Sequence, residues 1–335
     1  MAEFPDVPQG LLARSLTAED LAALSGLQEI AEKVDDTGEH WSPEDLAEYW
    51  LNDLIDLAQD SVAVLTAEGA LVGWATAFAL PEFRDAYRVD LEGAVHPEWR
   101  GRGVGRALLG WQLARGAEMH ADRHPEAPAK LTVAAHTTMP SLEAMLRRAG
   151  LTPERWYFLM ERPLTDLPQV AEPAGVELVP YARDRDDEVR RTHNASFTEH
   201  HGSAARDAQT WKTFFTGARS FRPDLSVLAL ADGGVVGYVL AYVVEADTLA
   251  TGVPETVLGQ IGVLPAARGK GIAKATIGAA LRAAAAAGCE RAGLQVDSEN
   301  VTGALRLYEG LGFSRRRTQL SWSLPLPPIG SGTAQ

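Results

Sequence analysis

The apolar and polar positions divide the chain into two successive series of elements. Residues 11–16 read as a short strand, and Thr17-Ala18-Glu19-Asp20 has the form of a capped start for a helix running toward Lys33. Ser42-Pro43 predicts a second helix, with Ser42 as the cap and Pro43 in the first helical position. Residues 61–66 and 70–80 read as two strands joined at Ala67-Glu68-Gly69, and residues 88–95 as a third. Val104, Ala107, Leu108 and Trp111 then recur at i, i+3, i+4 and i+7, the spacing of one buried helical face. A strand at 131–135, a helix at 141–149 capped by Gly150 and a closing strand at 156–161 complete the series.

The second series repeats that order. Residues 176–182 predict a strand, 184–197 and 207–218 helices, 226–231 and 235–245 a hairpin, and 257–263 the next strand. Ala273, Ile277, Ala280, Leu281 and Ala284 form the apolar face of the following helix, before a strand at 292–296, a helix at 302–309 and a strand at 313–324. Between the series, residues 163–175 carry three prolines and no apolar period, which predicts a linker; residues 325–335 are rich in Pro, Gly and Ser and read as a disordered tail. The expected organisation is a mixed-sheet α/β protein with domains at 1–162 and 176–324.

The repeat extends to individual residues. Leu71-Val72-Gly73-Trp74 corresponds to Val235-Val236-Gly237-Tyr238, Ala149-Gly150-Leu151 to Leu311-Gly312-Phe313, and the turn at Gly103 to that at Gly271, 168 positions later. An internal duplication accounts for all three.

Composition narrows what such a pair of domains can do. A length of 335 residues suits two domains, and 46% hydrophobic with 23% charged residues is ordinary for a globular protein. A net charge of -14 opposes binding to nucleic acid or to an anionic membrane, and no apolar run is long enough to span one. The start of the chain has no basic region followed by an apolar run, so a cytoplasmic location is expected. Cys289 stands alone, which excludes an intrachain disulfide and a cysteine-built metal site, and it reads as a small buried residue at a helix end. Monomer and homodimer both remain open.

The candidate chemistry lies at the two turns. Val263-Leu264-Pro265-Ala266-Ala267-Arg268-Gly269-Lys270-Gly271-Ile272-Ala273 and Val95-His96-Pro97-Glu98-Trp99-Arg100-Gly101-Arg102-Gly103-Val104-Gly105 each join a strand end to a helix start. Glycines there let the backbone approach a ligand, and the helix's unpaired N–H groups and positive dipole end favour a phosphate. A Walker loop needs Gly-x-x-x-x-Gly-Lys-Ser/Thr, which neither copy has, and a dinucleotide fold places its glycines after the first strand, whereas these follow the fourth.

The remaining pattern, an Arg-x-x-Gly-x-Gly/Ala turn together with Asn300-Val301-Thr302-Gly303-Ala304-Leu305-Arg306-Leu307-Tyr308-Glu309-Gly310-Leu311-Gly312-Phe313, resembles the GNAT (Gcn5-related N-acetyltransferase) family, twice in tandem. The resemblance implies acetyl-CoA as donor, no metal, and a small-molecule amine as acceptor. It implies that the amides of Arg268, Gly269, Lys270, Gly271, Ile272 and Ala273 hold the pyrophosphate. Ile261 and Val263 would pair with the pantetheine arm, Asn300 would hold the cofactor or its strand end, and Tyr308 would protonate the departing thiolate. In the first half, Val95, Arg100, Gly101, Arg102, Gly103, Val104 and Gly105 are the matching cofactor positions, but Leu146 stands in place of Tyr308 and Thr138 in place of Asn300. Many relatives carry a Glu on the fourth strand; the first half has Glu92 there and the second has Gln260, an amide that cannot accept a proton. Glu199, His200 and His201, between the first two helices of the second half, are therefore the candidate bases. The expected activity is acetyl transfer to a primary amine by the second half, with a catalytically silent CoA-binding protein as the alternative. The acceptor is open among a mycothiol precursor, an aminoglycoside-like antibiotic, a polyamine, an amino acid and a protein N-terminus.

Overall fold

A computed structural model describes residues 4–198, 202–299 and 303–330. Glu199, His200, His201 and Asn300 lie outside the described residues. In chain order the elements are β1 (Leu11–Arg14), α1 (Leu21–Asp35), α2 (Pro43–Trp50), the single turn α3 (Leu57–Asp60), β2 (Ser61–Thr66), β3 (Leu71–Phe78), β4 (Tyr87–Val95), α4 (Val104–Arg123), β5 (Ala129–His136) and α5 (Pro140–Arg148). Then come β6 (Thr152–Pro163), β7 (Glu177–Pro180), α6 (Asp186–Ser196), α7 (Ala208–Trp211), β8 (Val227–Ala231), β9 (Gly234–Tyr242), α8 (Glu245–Thr251), β10 (Glu255–Val263), α9 (Ile272–Ala286), β11 (Arg291–Asp297), α10 (Ala304–Gly310) and β12 (Ser314–Leu326). The caps act as the sequence predicts: Thr17 and Asp20 form a reciprocal box, and Ser42 accepts from Asp45 N.

The chain forms two compact units whose boundary differs from the expected cut at 163–175. The first contains residues 1–155 and 319–335, and the second residues 156–318. The last strand of each half is exchanged. In the first unit β5 pairs antiparallel with β12, Trp322 opposite Val133, whereas in the second β11 pairs antiparallel with β6, Leu294 opposite Met160. Alternating apolar positions identify both strands, but both have the same alternation and either could close either sheet; only the register shows which does. The first unit's sheet runs β1-β2-β3-β4-β5-β12 and the second's β6-β11-β10-β9-β8-β7.

Other expectations change locally. The proposed linker is not a free tether, because Leu164 is buried, Leu167 and Val170 pack on the second unit's core, and Leu164 N donates to Glu290 O at 2.8 Å. The expected tail remains strand as far as Leu326, opposite Ala129. The helix expected at 207–218 holds α-geometry for only four residues and then widens into a π-turn at Lys212–Thr216. The turn α8 has no apolar face and went unpredicted, and Ala107 and Ala273 are only half-buried on their helices.

In each unit the sheet packs on both faces. β2, β3 and α4 bury Val62, Val64, Val72, Val104 and Leu108 on one face of the first unit, while α1 and α2 bury Leu24, Leu46 and Trp50 against Trp74 on the other. The second unit sets α9 against Val239, Ala241 and Leu258, and gathers Trp211, Tyr238 and Leu240 on the opposite face.

Candidate functional site

The site is built where a parallel pair comes apart. β10 pairs with β11 only over 255–257 against 291–293, although β10 continues to Val263 and β11 to Asp297. One cause is a bulge: opposite β9, Leu258 faces Ala241 and Gln260 faces Leu240, so Gly259 is an extra residue that bends β10 and raises its twist. Leu264 N donates to Val236 O at 2.9 Å, and strand backbone groups alternate in direction, so Ile261 and Val263 turn theirs away from β9 and into the opening. The strand edge thus offers donors and acceptors to an extended ligand, in the place the sequence assigned to Ile261 and Val263.

At its end β10 enters the glycine turn. Gly269 and Gly271 have φ of 78° and 80°, the left-handed region that a side chain strains, and Gly271 caps the 15-residue α9. Gly101 and Gly103 repeat this at 74° and 96° before the 20-residue α4. The first-turn amides of both helices emerge here at a positive dipole end, the arrangement that takes an anion. Lys270 and Arg102 are exposed, with the Arg102 guanidinium 4.9 Å from the Trp99 ring centroid. The two turn arginines serve the protein instead. Arg100 grips both carboxylate oxygens of Asp35 at 2.7 and 2.6 Å and donates from Nε to Val95 O. Arg268 reaches Ser196 O at 3.0 Å and Val263 O at 3.4 Å. Each side chain ties its turn to the end of its unit's first helix, α1 or α6, so its contribution to an anion lies in its backbone.

Tyr308, on α10, is 8% exposed and belongs to the core cluster that includes Leu294 and Val296 of β11 and against which Ile261 packs. These residues flank the opening on both sides. Burial pushes its phenol up to about 12, so it is held as a neutral donor. In the first unit Leu146, fully buried, takes its place, and Thr138 donates to Asp35 O at 2.6 Å.

Two features were not legible in the sequence. His193 Nδ1 and Tyr238 Oη meet at 2.7 Å in the buried core beside Gln260's strand, and the Tyr238 ring lies over Gly262, where a Cβ would come within 2.4 Å of it. The cross-strand pairing of Tyr238 with Gly262 would have flagged this contact had the register been known. In the first unit, Glu92 accepts from Tyr49 Oη at 3.3 Å, and burial, then the nearby Asp90 and Glu39 charges, push its carboxyl up to about 7. Clefts of about 430 and 400 Å³ flank Cys289, whose thiol burial pushes up; they carry none of the turn residues and lie apart from this chemistry. Among the described residues no group of three His, Cys, Asp or Glu side chains could hold a metal, and no helix is long and apolar enough to cross a membrane.

A strand peeled from its parallel neighbour, a glycine turn on a helix N-terminus and a buried phenol beside the opening together have the shape and polarity to take an extended anion, on a scaffold present twice. The chain belongs to the acetyltransferase (GNAT) family, whose model matches residues 27–134 and 187–313, and it is an acyltransferase. A mycothiol acetyltransferase of Frankia casuarinae is 32% identical over 279 residues, covering 78% of this chain and 74% of that protein. Among solved structures, a GCN5-related N-acetyltransferase from Sphaerobacter thermophilus superposes with a TM-score of 0.76 at 23% identity, covering 96% of this chain and 98% of that one. A tandem GNAT protein from the clavulanic acid biosynthesis pathway does so at 0.69 and 19%, covering 94% and 98%. The expected tandem GNAT fold is therefore correct.

Proposed function

We propose that the protein transfers an acetyl group from acetyl-CoA to the primary amine of a small molecule, in the second unit. The observation that carries this reading is the coincidence there of the bulged, unpaired β10 edge, the Gly269–Gly271 turn and the buried phenol of Tyr308. The pyrophosphate would rest on the amides at the start of α9, and the pantetheine arm would extend along Ile261 and Val263. Arg268 occupies the Val263 carbonyl, which leaves that residue's N–H to receive the thioester oxygen as it gains charge. An uncharged amine attacks the carbonyl carbon, the C–S bond breaks, and Tyr308 gives its proton to the departing thiolate. The amine's own proton goes to Glu199, His200 or His201, since Gln260 cannot take it. Asn300 steadies the cofactor's strand end.

The similarity to mycothiol acetyltransferases favours an acceptor related to a mycothiol precursor. The test is release of free CoA thiol from acetyl-CoA in the presence of such precursors and of a panel of other amines, measured beside CoA binding. Amine-dependent release is the expected result. Saturable CoA binding with no release for any amine would overturn the reading in favour of a silent CoA-binding protein.

A further inference from the structure

Two aromatic rings of β9 stand where β10 has no side chains. Tyr238 and Tyr242 lie four residues apart and so share a face of the sheet. Gly259 and Gly262 lie three apart on β10, and they meet that same face only because the bulge at Gly259 shifts the alternation by one residue. A Cβ on Gly262 would stand 2.8 Å from both Cζ and Oη of Tyr238, and one on Gly259 would stand 2.6 Å from Cε2 of Tyr242. Neither glycine has a positive φ, so space and not backbone conformation requires glycine at both. The rings thus rest close against the main chain of β10 over the stretch that leads to Val263.

Tyr238 is in turn tied to α6. Its Oη lies 2.7 Å from His193 Nδ1, a hydrogen bond in either tautomer of the ring, and burial holds the phenol neutral by raising it well above its usual range. The imidazole stacks on Phe197, with centroids 4.4 Å apart and planes at 22°, and packs against Trp211 and Phe215 at 5.1 and 5.5 Å. The helix itself is fixed to the strands: Glu188 Oε1 accepts from Val235 N at 2.8 Å, Thr192 Oγ1 donates to Val235 O at 3.2 Å, and Ser196 O accepts from Arg268 of the glycine turn. The first unit has no such arrangement. There Trp74 faces Ala94, Leu91 stands in place of Gly259, and β4 runs in unbroken register.

We infer that Tyr238 and His193 are positioning residues for the transfer, the anchored ring holding residues 260–263 of β10 so that the Val263 N–H is aimed at the thioester oxygen. The inference rests on the reading of the second unit as the one that transfers. Beyond residue 257 the strand has lost β11 as a neighbour, so its edge depends on support from its face. An oxyanion donor acts by being in place before charge develops, and a misplacement of about 1 Å costs on the order of 10²-fold in rate.

The test uses two variants of the full chain. Tyr238→Phe keeps the ring over Gly262 and deletes the hydroxyl, while His193→Phe keeps a ring among Phe197, Trp211 and Phe215 and deletes the nitrogen. Each should lower kcat about tenfold at saturating acetyl-CoA and amine, while the KM for acetyl-CoA and the calorimetric affinity for CoA stay within about twofold. The double variant should be no slower than either single one, because the two residues act as one unit. Hydrogen exchange read by mass spectrometry needs no turnover: a peptide covering residues 258–264 should exchange several-fold faster in both variants, with a peptide covering β4 unchanged. Turnover of folded Tyr238→Phe within about twofold of wild type, losses that multiply in the double variant, CoA affinity that falls in step with kcat, or unchanged exchange at 258–264 would each overturn the proposal. A wild-type protein with no amine-dependent thiol release fails the transfer reading instead, and the exchange comparison still decides whether the pair holds the strand.

Discussion

The two units keep one scaffold and diverge where chemistry would occur. In the first, β4 pairs with β3 in unbroken register from Gly73 opposite Val95 to Phe78 opposite Asp90, and Gln112 of α4 donates to the carbonyls of Glu92 and Thr76 at 2.6 and 2.9 Å. In the second, Gly259 bulges the corresponding strand, and the small Ala280 replaces that amide, packed in the core. The first unit has a carboxylate on its fourth strand and no phenol behind it; the second has the phenol and only Gln260. Both retain positive-φ glycines at the turn. An anion-binding turn made of backbone survives almost any change of side chain around it, whereas a proton donor or acceptor is lost by one substitution. Duplication has therefore preserved the glycine turn in form and left the ionisable side chains around it unequal.

The largest effect that breaks this comparison is separation of the units at the linker. A fragment of residues 174–335 contains β11 without β6, which pairs with it from Arg291 to Asp297, and contains β12 without its partner β5. An unpaired edge strand and a missing one together leave no closed sheet, so the fragment should aggregate or fail to fold. A monodisperse fragment with native circular dichroism and full turnover would refute the exchanged-strand topology. Next in size is Gly271→Val, which forces a β-branched residue to φ near 80° at a strain of about 1–3 kcal/mol. CoA affinity at the second turn should fall roughly 5- to 100-fold by calorimetry, and Gly103→Val should leave turnover within about twofold. Loss of turnover in folded Gly103→Val would move the chemistry to the first unit.

The smallest effect concerns pH. Glu92 titrates near 7 when folded, against an ordinary 4.5, so between those values the folded unit holds a proton that the unfolded chain releases. Stability contributed by this group is therefore greatest at low pH, falls as pH rises from about 4.5 to 7, and is level above that. Glu92→Gln should remove the slope and raise stability at pH 8 by about 1–3 kcal/mol in urea titrations. An identical pH slope in the variant would show that Glu92 is not buried against Asp90 and Glu39.

What the sequence disclosed follows from the range of the forces involved. Capping at Thr17 and Ser42, the apolar faces of α4 and α9 and the glycine turns are local, and they stand where the pattern put them. The exchange of β6 and β12 depends on partners far apart in the chain, Arg291 with Pro163 and Gln319 with His136 among them, and on register, which alternation alone leaves open. The turn arginines fall in a loop whose backbone amides the resemblance assigns to the pyrophosphate; only the fold reveals that their side chains go to Asp35 and Ser196 O. The bulge at Gly259, the Tyr238–His193 contact and the Glu92 cluster likewise exist only once strands are paired.

The central claim, that the second unit performs the transfer with Tyr308 as its acid, is tested most directly by turnover of Tyr308→Phe at saturating acetyl-CoA and amine. The substitution removes one buried hydroxyl and keeps the ring against Phe313. A fall of roughly 10²- to 10⁴-fold in CoA release is expected, with acetyl-CoA affinity nearly unchanged. Unchanged turnover would remove Tyr308 from the reaction and contradict the account.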